Sequence, residues 1–168
     1  MHRLILALVT ASVALLAVTG IASAKNTQRL VVRGQDTLVD APCSPAGCEM
    51  QIADGTFRGT VGNGSYTGSL KLDLANVYPN GEGGLCAPFR ADIVLGAGTP
   101  DRLAIAVWGD SCQDGAGNPA TSSFTATGVF AVKYGTGAYA KAHGGGLFTS
   151  TEDADDHERM TLIGRVAR

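Results

Sequence analysis

Residues 86–112, CAPFRADIVLGAGTPDRLAIAVWGDSC, decide the fold. Cys86 and Cys112 are equidistant from Thr99, which lies inside the turn-forming run Gly96-Ala97-Gly98-Thr99-Pro100-Asp101. A hairpin folded there sets the two cysteines face to face, where a disulfide can close it. In that register Phe89, Ala91, Ile93 and Leu95 fall opposite Gly109, Val107, Ile105 and Leu103, and this face is apolar. Arg90, Asp92 and Val94 fall opposite Trp108, Ala106 and Ala104, and this face is mixed. Pro88 has the parity of Cys86. At a non-hydrogen-bonded pair its missing N–H points away from the hairpin partner, which implies an edge, bulge or bend on the strand's other side.

The rest of the chain alternates in period two between clusters of Gly, Asn and Pro, with no sustained helical periodicity after residue 24. Val61-Gly62-Asn63-Gly64-Ser65-Tyr66 reads as a second hairpin turning at Asn63-Gly64, because a type I′ turn needs positive φ at both central positions. Its register sets Val61 against Tyr66, Gly59 against Gly68 and Phe57 against Leu70, with Leu72 and Leu74 extending the apolar face. Further strands are expected over 29–39, 49–53, 122–134, 139–150 and 159–166. The expected fold is all-β: a single antiparallel barrel of about eight strands, with a β-sandwich as the alternative. The glycine content, 23 of 168 residues, supplies the bends that closure requires.

Met1-His2-Arg3 followed by an uncharged run rich in Leu, Ala and Val, then Ala22-Ser23-Ala24, reads as a cleaved secretory signal. The expected organisation is a signal over 1–24 and one domain over 25–168, exported to the cell envelope or beyond, with no membrane span once the signal is removed. Four cysteines in such a chain suggest two disulfides. Mirror symmetry selects Cys86 with Cys112 and leaves Cys43 with Cys48 around Ser44-Pro45-Ala46-Gly47. A net charge of −2 offers no basic field for a phosphate backbone, so nucleic acid is not an expected partner. The Ala- and Gly-rich composition, with Arg outnumbering Lys, points to a bacterial source.

Catalytic signatures fail on inspection. Gly109-Asp110-Ser111-Cys112 resembles the serine-protease Gly-Asp-Ser, but Gln113-Asp114 replaces the glycines that would shape an oxyanion hole. His143, between Ala142 and Gly144, reads first as structural. The acidic run Glu152-Asp153-Ala154-Asp155-Asp156-His157-Glu158 lacks the central glycine and oxygen spacing of a calcium loop and reads as a solvated hairpin turn. The long polar segments 76–84 and 110–121 are candidate binding loops. No catalytic set, cofactor or metal site is therefore assigned. The candidate ligand-binding residues are Arg90, Asp92, Trp108, Asp110 and His143, because an Arg and a carboxylate beside an indole can orient the polar end of a ligand.

Tyr134-Gly135-Thr136-Gly137-Ala138-Tyr139-Ala140-Lys141-Ala142-His143-Gly144-Gly145-Gly146 carries a family resemblance. Gly-Thr-Gly, an aromatic and then Ala-x-Gly resembles a segment of dirigent proteins and of the related allene oxide cyclase-like barrels, over residues 122–150 or so. The resemblance implies an eight-stranded antiparallel barrel with an apolar cavity for hydrophobic small molecules. The families' catalytic residues do not align onto this chain, and its two expected disulfides depart from their pattern. The function expected from the sequence is non-enzymatic binding of a small hydrophobic molecule or an envelope partner. The alternative is a cyclase or isomerase acting on a hydrophobic substrate, with Arg90, Asp92, Asp110 or His143 assisting proton movement.

Overall fold

In the computed structural model, residues 27–40, 43–44, 47–115, 122–154 and 157–168 are described. The expected signal over 1–24, residues 116–121 of the binding loop expected over 110–121, Pro45 and Ala46 of the turn expected between Cys43 and Cys48, and Asp155 and Asp156 of the acidic run lie outside them. The strands are β1 (Thr27–Asp40), β2 (Cys48–Gly59), β3 (Gly62–Leu72), β4 (Tyr78–Pro79), β5 (Leu85–Leu95), β6 (Leu103–Gln113), β7 (Phe124–Gly135), β8 (His143–Glu152) and β9 (His157–Ala167). They form one antiparallel sheet in the order β3-β2-β1-β9-β8-β7-β6-β5-β4, and β3 pairs with β5 to close eight of them into a barrel. Closure removes the two long edges that an open sheet would expose.

The β5–β6 hairpin has the expected register throughout, from Cys86↔Cys112 to Leu95↔Leu103. Both disulfides, Cys43–Cys48 and Cys86–Cys112, are formed, which is compatible with an extracytoplasmic protein. On its other side β5 pairs with β3 as far as Leu72↔Phe89 and with β4 from Tyr78↔Cys86. Pro88 sits at the changeover, where no ladder bond is asked of its nitrogen.

The β2–β3 hairpin differs from expectation. It turns at Thr60-Val61, between Gly59↔Gly62, and not at Asn63-Gly64; Phe57 therefore pairs with Gly64 instead of Leu70. Two features fix the turn there. Gly62 takes the positive φ, 102°, and Thr60 is tied to β1 by its N–H to the Val31 carbonyl (2.9 Å) and by the Val31 N–H to its Oγ1 (3.0 Å). The shift is six residues, an even number, so the sidedness survives: Phe57, Tyr66 and Leu70 are still buried. The segment expected as a separate strand over 49–53 is the first half of β2. A bulge at Ala53-Asp54, where Asp54 has φ 52°, lets the strand continue.

The apolar face of each strand is inside. One end of the barrel is packed with Leu30, Val32, Phe57, Leu95, Leu103 and Val166, and is plugged by Tyr139, whose hydroxyl donates to the Val61 carbonyl at 2.9 Å. Phe89 and Phe148 meet across the middle, ring centroids 5.7 Å apart. Outside, Trp108, Val129, Leu147, Ile163 and Val31 form one apolar row across five neighbouring strands. The row is flanked on one side by Asp110, Thr127, Thr149, Thr161 and Arg33. A bilayer-spanning barrel needs an outer apolar band about 25 Å tall and a polar lumen; this barrel has the opposite sidedness. Among the described residues no helix is long and apolar enough to cross a membrane.

A peptide map made without reduction is expected to yield Cys86–Cys112 and Cys43–Cys48 linked peptides, and a Cys43–Cys86 link would contradict the register. Replacing Cys86 and Cys112 together by Ser opens a link of sequence separation 26. By loop-closure entropy this costs about 3.5 kcal/mol, a fall of roughly 10 °C in Tm by thermal melting.

Candidate functional site

The mouth opposite the plug holds a cavity of about 440 Å³. Leu38, Met50, Leu70, Leu72, Phe124 and Ala126 give it an apolar wall, and the two disulfides stand at its rim with Leu74, Val77 and Leu85. Leu74 and Val77 belong to the segment between β3 and β4, part of which was expected as a binding loop. That segment is shaped by an Asp73 cap on a short 3-10 turn over Leu74–Asn76, its Oδ1 accepting from the Ala75 N–H at 3.2 Å.

The wall formed by β8 and β9 is different: Ser150, Glu152 and Glu158 face the cavity from it. Strand alternation accounts for Glu158. Val166, Leu162 and Met160 point inward on β9, and Glu158 continues their parity. On β1 the inward row is Leu30, Val32, Gly34, Asp36 and Leu38, and β1–β9 pairing sets Asp36 directly opposite Glu158. Both carboxylates are buried, 6% and 5% exposed. Directly opposed residues on one face have Cβ atoms about 5 Å apart, so the two acids share one environment.

Tyr66 reaches them from β3. Its hydroxyl donates to Asp36 Oδ2. Two glycines make room for its ring: a Cβ on Gly34 would stand 3.0 Å from Tyr66 Cε1, and one on Gly55 would stand 3.0 Å from both Cδ1 and Cε1. Asp36 Oδ1 is buried without a hydrogen-bond partner. Burial raises the Glu158 pKa to about 7; the Asp36 charge and, more weakly, Glu152 push the same way, while a hydrogen bond from Ser150 opposes them. Burial likewise raises Asp36 to about 6 against the Tyr66 hydrogen bond. The Tyr66 phenol is pushed above its usual range, first by burial and then by Asp36. Neither carboxylate is paired with a lysine or arginine among the described residues. Chemically, this is a largely apolar pocket with polar groups from β8 and β9 and, across from them, Ser111 and Gln113 of β6, and its buried Glu158 titrates closer to neutral pH than an ordinary carboxylate.

The sequence-assigned candidates lie elsewhere. Arg90, Asp92 and Trp108 come together on the outside of the barrel, beside an open depression of about 590 Å³ with Lys71 and Lys133. There Lys133 Nζ pairs with Asp92 Oδ1 at 2.9 Å, both side chains exposed. Asp110 follows Trp108 on the same outer face and is hydrogen-bonded to Tyr78 of β4. His143 is apart from all of these, exposed at the start of β8, with Nδ1 3.2 Å from the Lys141 carbonyl. The acidic turn is only partly solvated. Glu152 and Glu158 pair across it, the His157 N–H donates to Asp153 Oδ1 at 3.1 Å, and Glu158 turns inward. Among the described residues no group of His, Cys, Asp and Glu is placed to hold a metal ion. Asp36 was not singled out from the sequence, and Tyr66 and Glu158 were read only as hairpin and turn residues, although extending the inward parity of β1 and β9 would have placed both acids inside.

No family model, curated protein or solved structure matches the chain.

Because the folded state raises both carboxylate pKa values, it binds protons that the unfolded chain has released between about pH 4 and 7. Stability is therefore expected to fall as pH rises through that window. Glu158→Gln removes the burial cost of one charge. It should melt like the parent near pH 4 and be more stable at pH 8 by on the order of 2 kcal/mol; a parent whose stability rises across the window would contradict this. Tyr66→Phe leaves Asp36 without its donor and is expected to cost about 1–3 kcal/mol in denaturant unfolding at pH 7.

Proposed function

We propose that this protein is an exported binding domain that takes a small hydrophobic molecule into the open end of its barrel. The cavity carries the reading: about 440 Å³, walled by Leu38, Met50, Leu70, Leu72, Phe124 and Ala126 at the end of the barrel opposite the Tyr139 plug. Ligand pockets of small proteins have this size and composition, with a few polar groups that fix orientation. The signal-like residues 1–24 and the two disulfides support export. The resemblance of residues 134–146 to dirigent and allene oxide cyclase-like barrels supports a cavity for hydrophobic small molecules. The groups that a cyclase or isomerase reading drew on, Arg90, Asp92, Asp110 and His143, do not line the cavity, so that reading loses the residues it named.

Titration with the neutral fluorophore N-phenyl-1-naphthylamine tests the reading. Saturable enhancement with one site per chain is expected, and Leu72→Trp, which fills the cavity from a partly buried position, should weaken it at least about tenfold. That is the loss of about 1.4 kcal/mol or more. If the outer depression were the site, Trp108→Ala would abolish the signal and Leu72→Trp would not; that result, or no saturable binding, overturns the proposal.

A further inference from the structure

We infer that the molecule this cavity is built to hold carries a protonated amine, received by Glu158 with Asp36 behind it. The inference rests on the binding reading above and names the ligand's chemistry. Glu158 is a cavity-lining residue, yet only 5% exposed, so it faces the pocket and not the bulk solvent. Asp36 stands opposite it on β1 with one oxygen held by Tyr66 and the other, Oδ1, buried and unpartnered. A buried acceptor with no donor is costly to leave unsatisfied.

The groups facing Glu158 are acids, a phenol and a hydroxyl. Asp36 faces it from β1, Glu152 and Ser150 from β8, and Tyr66 reaches in from β3; Asp153 lines the same cavity. Its own neighbours, His157 and Arg159, are exposed on the other face of β9. Cations elsewhere on the barrel, among them Arg33, Arg58, Lys71, Arg90 and Lys133, are likewise exposed. Glu158 and Asp36 are therefore buried in a low-dielectric site with no cationic side chain beside them among the described residues. A ligand carboxylate would add a further like charge, and an alcohol would add one hydrogen bond. An ammonium group would supply both the missing donors and the missing charge, in a place where charge-assisted hydrogen bonds are strong.

Proton linkage gives a signature that a merely greasy pocket lacks. Below about pH 6 the pair holds protons, and a bound ammonium must displace them; above about pH 7 the anion is already formed. A simple alkylamine stays protonated throughout, so its affinity should climb with pH while that of a neutral ligand stays level.

Isothermal titration of the disulfide-bonded protein with octylamine, octanol and octanoate at pH 5.5 and 7.5 tests this. At pH 7.5 octylamine is expected to bind at least tenfold more tightly than octanol, and octanoate more weakly than either. The octylamine-to-octanol ratio should fall several-fold at pH 5.5. Glu158→Gln should bring the ratio at pH 7.5 close to one, and Asp36→Asn, which keeps Glu158, should lower it partway; a melting curve for each variant confirms that it is folded. Octanol binding as well as octylamine in the parent, or a preference that survives Glu158→Gln, overturns the amine assignment while leaving the cavity reading intact. Absence of binding by all three ligands overturns both.

Discussion

The pairing of β3 with β5, from Tyr66↔Leu95 to Leu72↔Phe89, is the constraint on which the other features of this molecule depend. Without it the chain forms an open sheet with two edges and a single apolar face in need of a second layer. With it, each inward side chain faces others across a lumen, and side-chain size alone decides where that lumen is full. Large residues and the Tyr139 plug fill one end. Towards the other mouth the inward positions include Ser111, Ala126 and Ser150, which are too small to meet across the gap, and a cavity is left. A few glycines then decide local shape, as where Gly34 and Gly55 admit the Tyr66 ring.

Placing Asp36 and Glu158 in the inward rows of adjacent strands costs stability, since each must be desolvated beside the other. Two well-packed leucines would do better there as structural elements. Tyr66 and Ser150 offset part of the cost, but the unpartnered Asp36 oxygen shows that the arrangement is not internally complete. A largely apolar interior keeps these acids at the cavity end of the barrel. That placement suits the proposed binding site.

Much of the architecture was legible in the chain because period-two patterns and mirror-placed cysteines are local signals. The β5–β6 register followed from Cys86, Cys112 and the Gly96–Asp101 turn, and the proline at 88 marked the place where its strand changes partner. The Asn63-Gly64 turn misled because turn chemistry ranks candidates only locally, and Gly62 with Thr60, anchored on β1, provided a better-supported turn nearby. The site was less legible. Asp36 and Glu158 are far apart in sequence, and their juxtaposition depends on β1 pairing with β9, a contact between the two ends of the domain that no short-range pattern encodes. Glu158 was also concealed within an acidic run, where a charged residue reads as solvated until the strand's parity is carried through it. Arg90, Asp92 and Trp108 were brought together by their hairpin as its register implied, and closure of the barrel put them outside.

The most direct measurement is an NMR titration of the isotopically labelled protein with octylamine, following methyl resonances and intermolecular nuclear Overhauser effects. The account predicts effects from the alkyl chain to the methyls of Leu38, Met50, Leu70 and Leu72, with those of Leu147 and Val129 on the outer row unmoved. Effects confined to Trp108, Val129 and Leu147 would place the ligand outside the barrel and contradict it.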